Sequence, residues 1–169
     1  MEPAKNYIQE WSARLAREKE ARQKNTFSAV LVRLGNSRLA LPSLMVREIV
    51  EVRQVHKIPH RSNDFLLGIV NIRGRLHLCV DFRTMFGLEP VKVTKGGRHY
   101  SRMVVVEKDG KAWVFVVDEV ISLHRFPPHQ IIPLADDARS CRGILEWQGT
   151  TYDVTDENLF FQKLEKGLE

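Results

Sequence analysis

The second half of this 169-residue chain echoes its first half at a spacing of 75 residues. Gly68-Ile69, Gly74, Asp81 and Phe86 return as Gly143-Ile144, Gly149, Asp156 and Phe161. Upstream, the run from Val30 to Leu41 returns from Val105, with Gly35 matched by Gly110. Self-similarity at a fixed period marks duplicated structural units. Two units of about 60–70 residues would each be marginal alone, so they are expected to lean on each other along a shared seam.

Charge is unevenly spread over the two halves. Residues 25–102 carry thirteen Lys/Arg against five Asp/Glu, whereas residues 103–169 carry seven against twelve. Such an asymmetry can attract the halves to each other or orient a partner. The formal charge of +5 raises the question of nucleic acid. The positive residues stand singly among strand positions and form no dense stripe, which argues against it. Cys79 and Cys141 lack metal-ligand spacing. Cys79 lies in an apolar run and reads as a small buried hydrophobe, Cys141 as exposed or near the seam. A structural disulfide is not expected, and the composition fits a reducing cytosol. The polar N-terminus reads as no signal peptide, and no apolar run has the length of a membrane span.

Residues 5–24 read as a helix. Tyr7, Trp11 and Leu15 fall at i, i+4 and i+8, with Ile8 on the same side, among good helix formers. Its apolar stripe fades after Leu15. The helix either packs on its own body or frays, or it is an extra docking element for a partner; membrane-surface binding is weakened by Glu18 and Glu20. From residue 26 the period changes to two. Phe27–Leu34 and Arg38–Leu41 flank the turn Gly35-Asn36, and Val46 to Val52 alternates with Val46, Glu48, Val50 and Val52 on one face. Phe65–Ile72 and Leu76–Phe82 flank Arg73-Gly74-Arg75, and Arg83–Gly87 is a short helical turn stopped by glycine. Residues 91–100 are polar and glycine-bearing and mark the boundary between units. Strands follow at 101–106, 111–117 and 120–124, with Asp109-Gly110 as a turn, and a last hairpin surrounds Gln148-Gly149. A C-terminal helix spans 156–166, with Leu159, Phe160 and Leu164 against the body. Each unit thus has about five short strands, which suits a small barrel that protects its edges by closure. The expected first barrel spans about 25–92 and the second about 100–155.

Residues that could carry chemistry are scattered. His56, His60, His77, His99, His124 and His129 form no metal-ligand set with carboxylates or cysteines. Gly96-Gly97 lacks the context of a phosphate loop, and no Gly-x-Ser-x-Gly elbow occurs. Asp81 and Asp156 occupy matched positions and could suggest acid–base work. Each also stands where a strand ends and a helix begins, so each reads better as a cap for orphan N–H groups. Gly74 and Gly149 supply turn geometry. Arg73 has two readings: a solvated hairpin turn, or a guanidinium projected from a tight turn onto a binding surface.

Val46-Arg47-Glu48-Ile49, the run from Leu67 to Gly74, Val80-Asp81-Phe82-Arg83 and Phe86-Gly87-Leu88 together resemble the CheW-like family. These adaptor proteins couple bacterial chemoreceptors to a histidine kinase. The resemblance covers about residues 25–166 and rests most on G-x-x-N-x-R-G followed by V-D-F-R. It implies an all-β fold of two SH3-like five-stranded barrels packed side by side with terminal helices, and no catalysis, cofactor or metal. It also implies a receptor-binding surface at Val46, Glu48 and Arg73 and a kinase-coupling position at Gly68. The implied partners are the receptor's cytoplasmic helical hairpin, the kinase's regulatory domain, which has a similar fold, and other copies of the chain in rings. Neither nucleic acid nor membrane insertion is implied. The implied location is cytoplasmic, peripheral to membrane receptor arrays. The N-terminal helix is longer than in minimal members, as in adaptors of systems that steer surface attachment or cyclic-di-GMP output, so an alternative is that role in a non-motility pathway.

Overall fold

The computed structural model describes residues 4–24, 26–60, 64–88, 100–134 and 141–168; the expected boundary segment, Gly96-Gly97 and His99 lie outside them. Helix α1 (Ala4–Lys24) comes first, followed by strands β1 (Phe27–Leu34) and β2 (Ser37–Pro42). A 3-10 turn at Ser43–Met45 leads to β3 (Val46–Glu51), β4 (Val55–His56), β5 (Leu66–Ile72) and β6 (Arg75–Val80). After α2 (Phe82–Phe86) come β7 (Arg102–Lys108), β8 (Lys111–Val117) and β9 (Glu119–Phe126). A second 3-10 turn, β10 (Ile132–Pro133), β11 (Cys141–Trp147), β12 (Thr150–Thr155) and α3 (Glu157–Leu168) complete the chain.

The strands form two mixed sheets that curl into SH3-like barrels. Their orders are β3-β7-β8-β6-β5-β4 and β9-β1-β2-β12-β11-β10. Among the described residues each has six strands rather than five, because the two-residue strands β4 and β10 add a short edge. The two orders correspond strand for strand, as the repeat requires. The sheets are not, however, cut at the boundary expected between 25–92 and 100–155. The opening hairpin of each half joins the sheet of the other: β2 runs parallel to β12, and β8 parallel to β6. We call the sheet of β3–β8 barrel 1 and that of β1, β2 and β9–β12 barrel 2.

Burial explains why the hairpins are exchanged. Ala29 and Leu31 of β1 face the barrel 2 core with Leu145, Tyr152 and Val154. The alternate residues Val30, Val32 and Leu34 join Val104, Val106, Phe115 and Val117 in the largest cluster, the seam between barrels. Strands β1, β2, β7 and β8 are therefore covered on both faces, which accounts for their nearly unbroken apolar runs. One side of the seam packs against α2 and α3. Phe82 stacks on Phe86 and Phe115 at 4.3 Å each, and Phe160, Phe161 and Leu164 of α3 are buried. Phe161 makes this contact where the sequence pointed to Leu159, which is half-buried. Cys141 is buried, not exposed, because the strand pairing turns it inward opposite Thr155.

The hairpin turns refine the repeat. Leu34 pairs with Ser37 and Lys108 with Lys111, so the opening hairpins superimpose one residue short of the 75-residue spacing. Gly35 thus corresponds to Asp109, not to Gly110. The closing hairpins keep the full spacing, Ile72 with Arg75 against Trp147 with Thr150.

Capping and a polar clasp fix the junctions. Asp81 accepts from Arg83 N at 2.9 Å, and Asp156 from Leu159 N at 3.0 Å, so both helices start on an aspartate cap. Gly87 closes α2 at φ 61°. Asp118, where the chain crosses from barrel 1 to barrel 2, accepts from Arg83 Nη2 at 2.8 Å and from Gly35 N at 2.5 Å. This clasp ties α2 and the β1–β2 turn to the crossover.

Candidate docking surface

The turn between β5 and β6 is built by its own sequence. Arg73 at φ 52° and Gly74 at φ 82° give the paired left-handed conformation that suits a two-residue hairpin. Asn71 Oδ1 accepts from Gly74 N at 2.9 Å and holds the turn closed. The N-x-R-G spacing thus has a local structural meaning. Gln148 takes the Arg73 conformation in the matching β11–β12 turn at φ 50°, and Asp109 does so in the β7–β8 turn at φ 52°. The position accepts diverse side chains and points them outward; the Arg73 side chain is 79% exposed.

Glu48 comes to this turn from β3. Arg73 Nε lies 2.9 Å from Glu48 Oε2, whose side chain is three-quarters covered. Arg47 forms an ion pair with Glu107 of β7 beside it. A β-bulge lies between Val46 and Glu48, which pair with Val106 and Val105. The extra residue shifts the alternation of the strand. Val46 packs against the seam, whereas Val50, two residues beyond Glu48, packs into the barrel 1 core. The expected single face of Val46, Glu48, Val50 and Val52 is therefore broken at Arg47. The structure unites Glu48 and Arg73 and leaves Val46 half-buried on the other side of the strand.

Gly68 sits elsewhere, buried beneath β4. Its φ is 146°, and a Cβ there would lie 2.2 Å from His56 O. A Cβ on Gly143 would lie 2.6 Å from Ile132 O in barrel 2. Both glycines follow a bulge at the start of β5 or β11 and let the short edge strand approach. The 75-residue match of these two glycines was the available signal for that shared packing role.

The pairing register identifies what barrel 2 places at the corresponding sites. Ser122 opposes Leu31 as Glu48 opposes Val105, and Gln148 takes the place of Arg73. The Glu48–Arg73 ion pair is thus replaced by a hydroxyl and an amide. Beside it, His124 and Trp147 have ring centroids 5.8 Å apart. Sequence alone could not align Ser122 with Glu48, because the spacing between opening hairpins differs by one residue from that between closing hairpins. Among the described residues no group of three or more His, Cys, Asp and Glu could hold a metal ion.

Two strand-exchanged SH3-like barrels with a charged, outward-facing strand-and-turn surface define the structural class. The model of the CheW-like domain matches residues 28–165, and the chain belongs to that family. The chemotaxis protein CheW of Helicobacter pylori is 27% identical over 103 residues, 61% of this chain and 59% of that protein. The match thus spans less than two thirds of that relative's length. The crystal structure of the scaffolding protein TtCheW from Thermoanaerobacter tengcongensis is similar with a TM-score of 0.64. It is 24% identical, and the match covers 76% of this chain and 82% of that one, which supports the shared fold.

Proposed function

We propose that this protein is a non-enzymatic scaffold that couples the helical cytoplasmic tip of a chemoreceptor to the regulatory domain of a histidine kinase. The observation that carries the reading is the Glu48–Arg73 pair, held on a rigid barrel and absent from barrel 2. Arg73, paired with Glu48 and mostly in water, offers its donors in a planar fork suited to carboxylates or amides of a partner helix. Glu48 orients that fork. The receptor tip lies along β3 and the β5–β6 turn, with Val46 contributing at the seam side. The kinase's regulatory domain joins through the barrel end near β4 and Gly68, and further copies of the chain extend the assembly into rings in the cytoplasm. Weak single contacts suffice when many are linked in an array. The signal then passes as a change in how two partners are held.

The test is co-sedimentation of the full chain with membranes carrying the receptor. Arg73→Glu is expected to lose co-sedimentation while retaining the native circular dichroism spectrum and unfolding midpoint. Undiminished co-sedimentation of that folded variant overturns the receptor surface.

A further inference from the structure

We infer that α1 of one copy docks on the outer face of β10–β12 of a second copy, giving a reciprocal pair. Two exposed surfaces match. Tyr7, Ile8, Trp11 and Leu15 of α1 are 62%, 64%, 46% and 57% exposed. Tyr7 and Trp11 rings meet at 5.9 Å, and the Arg14 guanidinium lies 5.7 Å from the Trp11 ring centroid, on the border of this stripe. Helix α1 carries six Lys/Arg and three Glu.

On barrel 2, Ile132 pairs with Ile144, and Ile144 with Asp153, so all three share one face. Leu145 between them is fully buried, which makes that face the outer one. Ile132 and Leu134 are 60% and 44% exposed, and Glu146 is exposed beside them. Glu146 and Asp153 have no ion-pair partner among the described residues, whereas Arg142 on the same strand lies over the Phe27 ring at 4.4 Å. A basic-edged apolar helix therefore meets an apolar sheet face with two free carboxylates. Helix α1 has a net charge of +3 (six Lys/Arg less three Glu), which complements these carboxylates better than it complements a second α1.

The connection favours reciprocity. Helix α1 ends at Lys24, and β1 begins at Phe27, under Arg142 and next to this same face. A helix of 21 residues extends roughly 30 Å from there. Across a two-fold axis each helix can reach the other copy's face, closing the assembly as a pair. The contact needs neither receptor nor kinase, so its failure leaves the adaptor reading untouched.

Sedimentation velocity of the full chain tests it. A concentration-dependent doubling of mass, weakened by salt, is expected. Trp11→Glu and Ile132→Glu alter exposed residues, so both should keep the native circular dichroism spectrum and sediment as monomers. An equimolar mixture of the two should recover partial pairing, since one intact helix meets one intact face. Glu146→Lys should weaken pairing at low salt. Three results overturn the inference: a monomer at every concentration, a dimer indifferent to Trp11→Glu, or a monomer whose α1 amides are protected from hydrogen exchange, which would place the helix on its own barrel.

Discussion

Arg73 Nε lies 2.9 Å from Glu48 Oε2, and this ion pair joins the β5–β6 turn to β3 at the rim of barrel 1. The arginine is mostly in water, so the pair adds little to folding. Arg73→Ala should change unfolding free energy by less than about 1 kcal/mol in denaturant titrations. Receptor co-sedimentation should nevertheless fall sharply. The exchange Glu48→Arg with Arg73→Glu separates pairing from recognition. It should fold as stably as the parent and still fail to bind, because the partner meets reversed charges. Restored binding would mean that only the pair's presence matters.

Gly68 invites a different reading of any loss of kinase coupling. Its left-handed backbone and the approach of His56 O leave no room for a side chain. Gly68→Ala should cost about 1–3 kcal/mol and increase hydrogen exchange across β4 and β5. Gly143→Ala meets Ile132 O in the same way but without that backbone conformation, so its cost should be smaller. Equal unfolding midpoints for Gly68→Ala and the parent would remove packing as the explanation and leave a direct contact.

Cys79 should titrate late. Burial, aided by the charge of Asp81, pushes its thiol from 9.0 up to about 11. The folded chain therefore keeps this proton after the unfolded chain has released it. The resulting stability is fully present below pH 9 and is lost as pH rises towards 11. Native protein at pH 8 should react with thiol reagents at Cys79 only as fast as it opens. Cys79→Val should flatten the alkaline decline in unfolding free energy. An equally steep decline in that variant would assign the effect to another group.

The longer strands, the aspartate caps and the glycine turns were legible in the residues, because each is decided within a few positions; the two-residue strands β4 and β10 and the one-residue offset of the opening hairpins were not. Asp81 and Asp156 stand at strand-to-helix junctions, and Arg73-Gly74 lies between two apolar runs. What escaped was set at long range. Exchange of the opening hairpins depends on which sheet completes which barrel, and no local pattern encodes that. The unbroken run from Val104 to Val106 records burial on both faces but does not name the neighbours. The bulge at Arg47 likewise separates Val46 from Glu48 through pairing with β7, some sixty residues on in sequence.

The exchange makes each half depend on the other for a complete sheet. A chain cut between residues 92 and 100 would yield a first fragment with β1–β6 and a second with β7–β12. The first would hold β3–β6 without the β7–β8 hairpin that lies between β3 and β6, and its own β1–β2 hairpin would lack both flanking strands. The second would lack β1 and β2 between β9 and β12. In both, valines and leucines of the seam would face water on one side. At about 25 cal/mol per Å² of apolar surface, that exposure exceeds the margin of a unit this small. Fragments 1–92 and 100–169 should therefore lack cooperative thermal transitions when separate. Mixed at equal concentration, they should regain the β-sheet circular dichroism of the intact chain and one shared transition. A cooperative transition in either fragment alone would show that a half completes a barrel from its own strands.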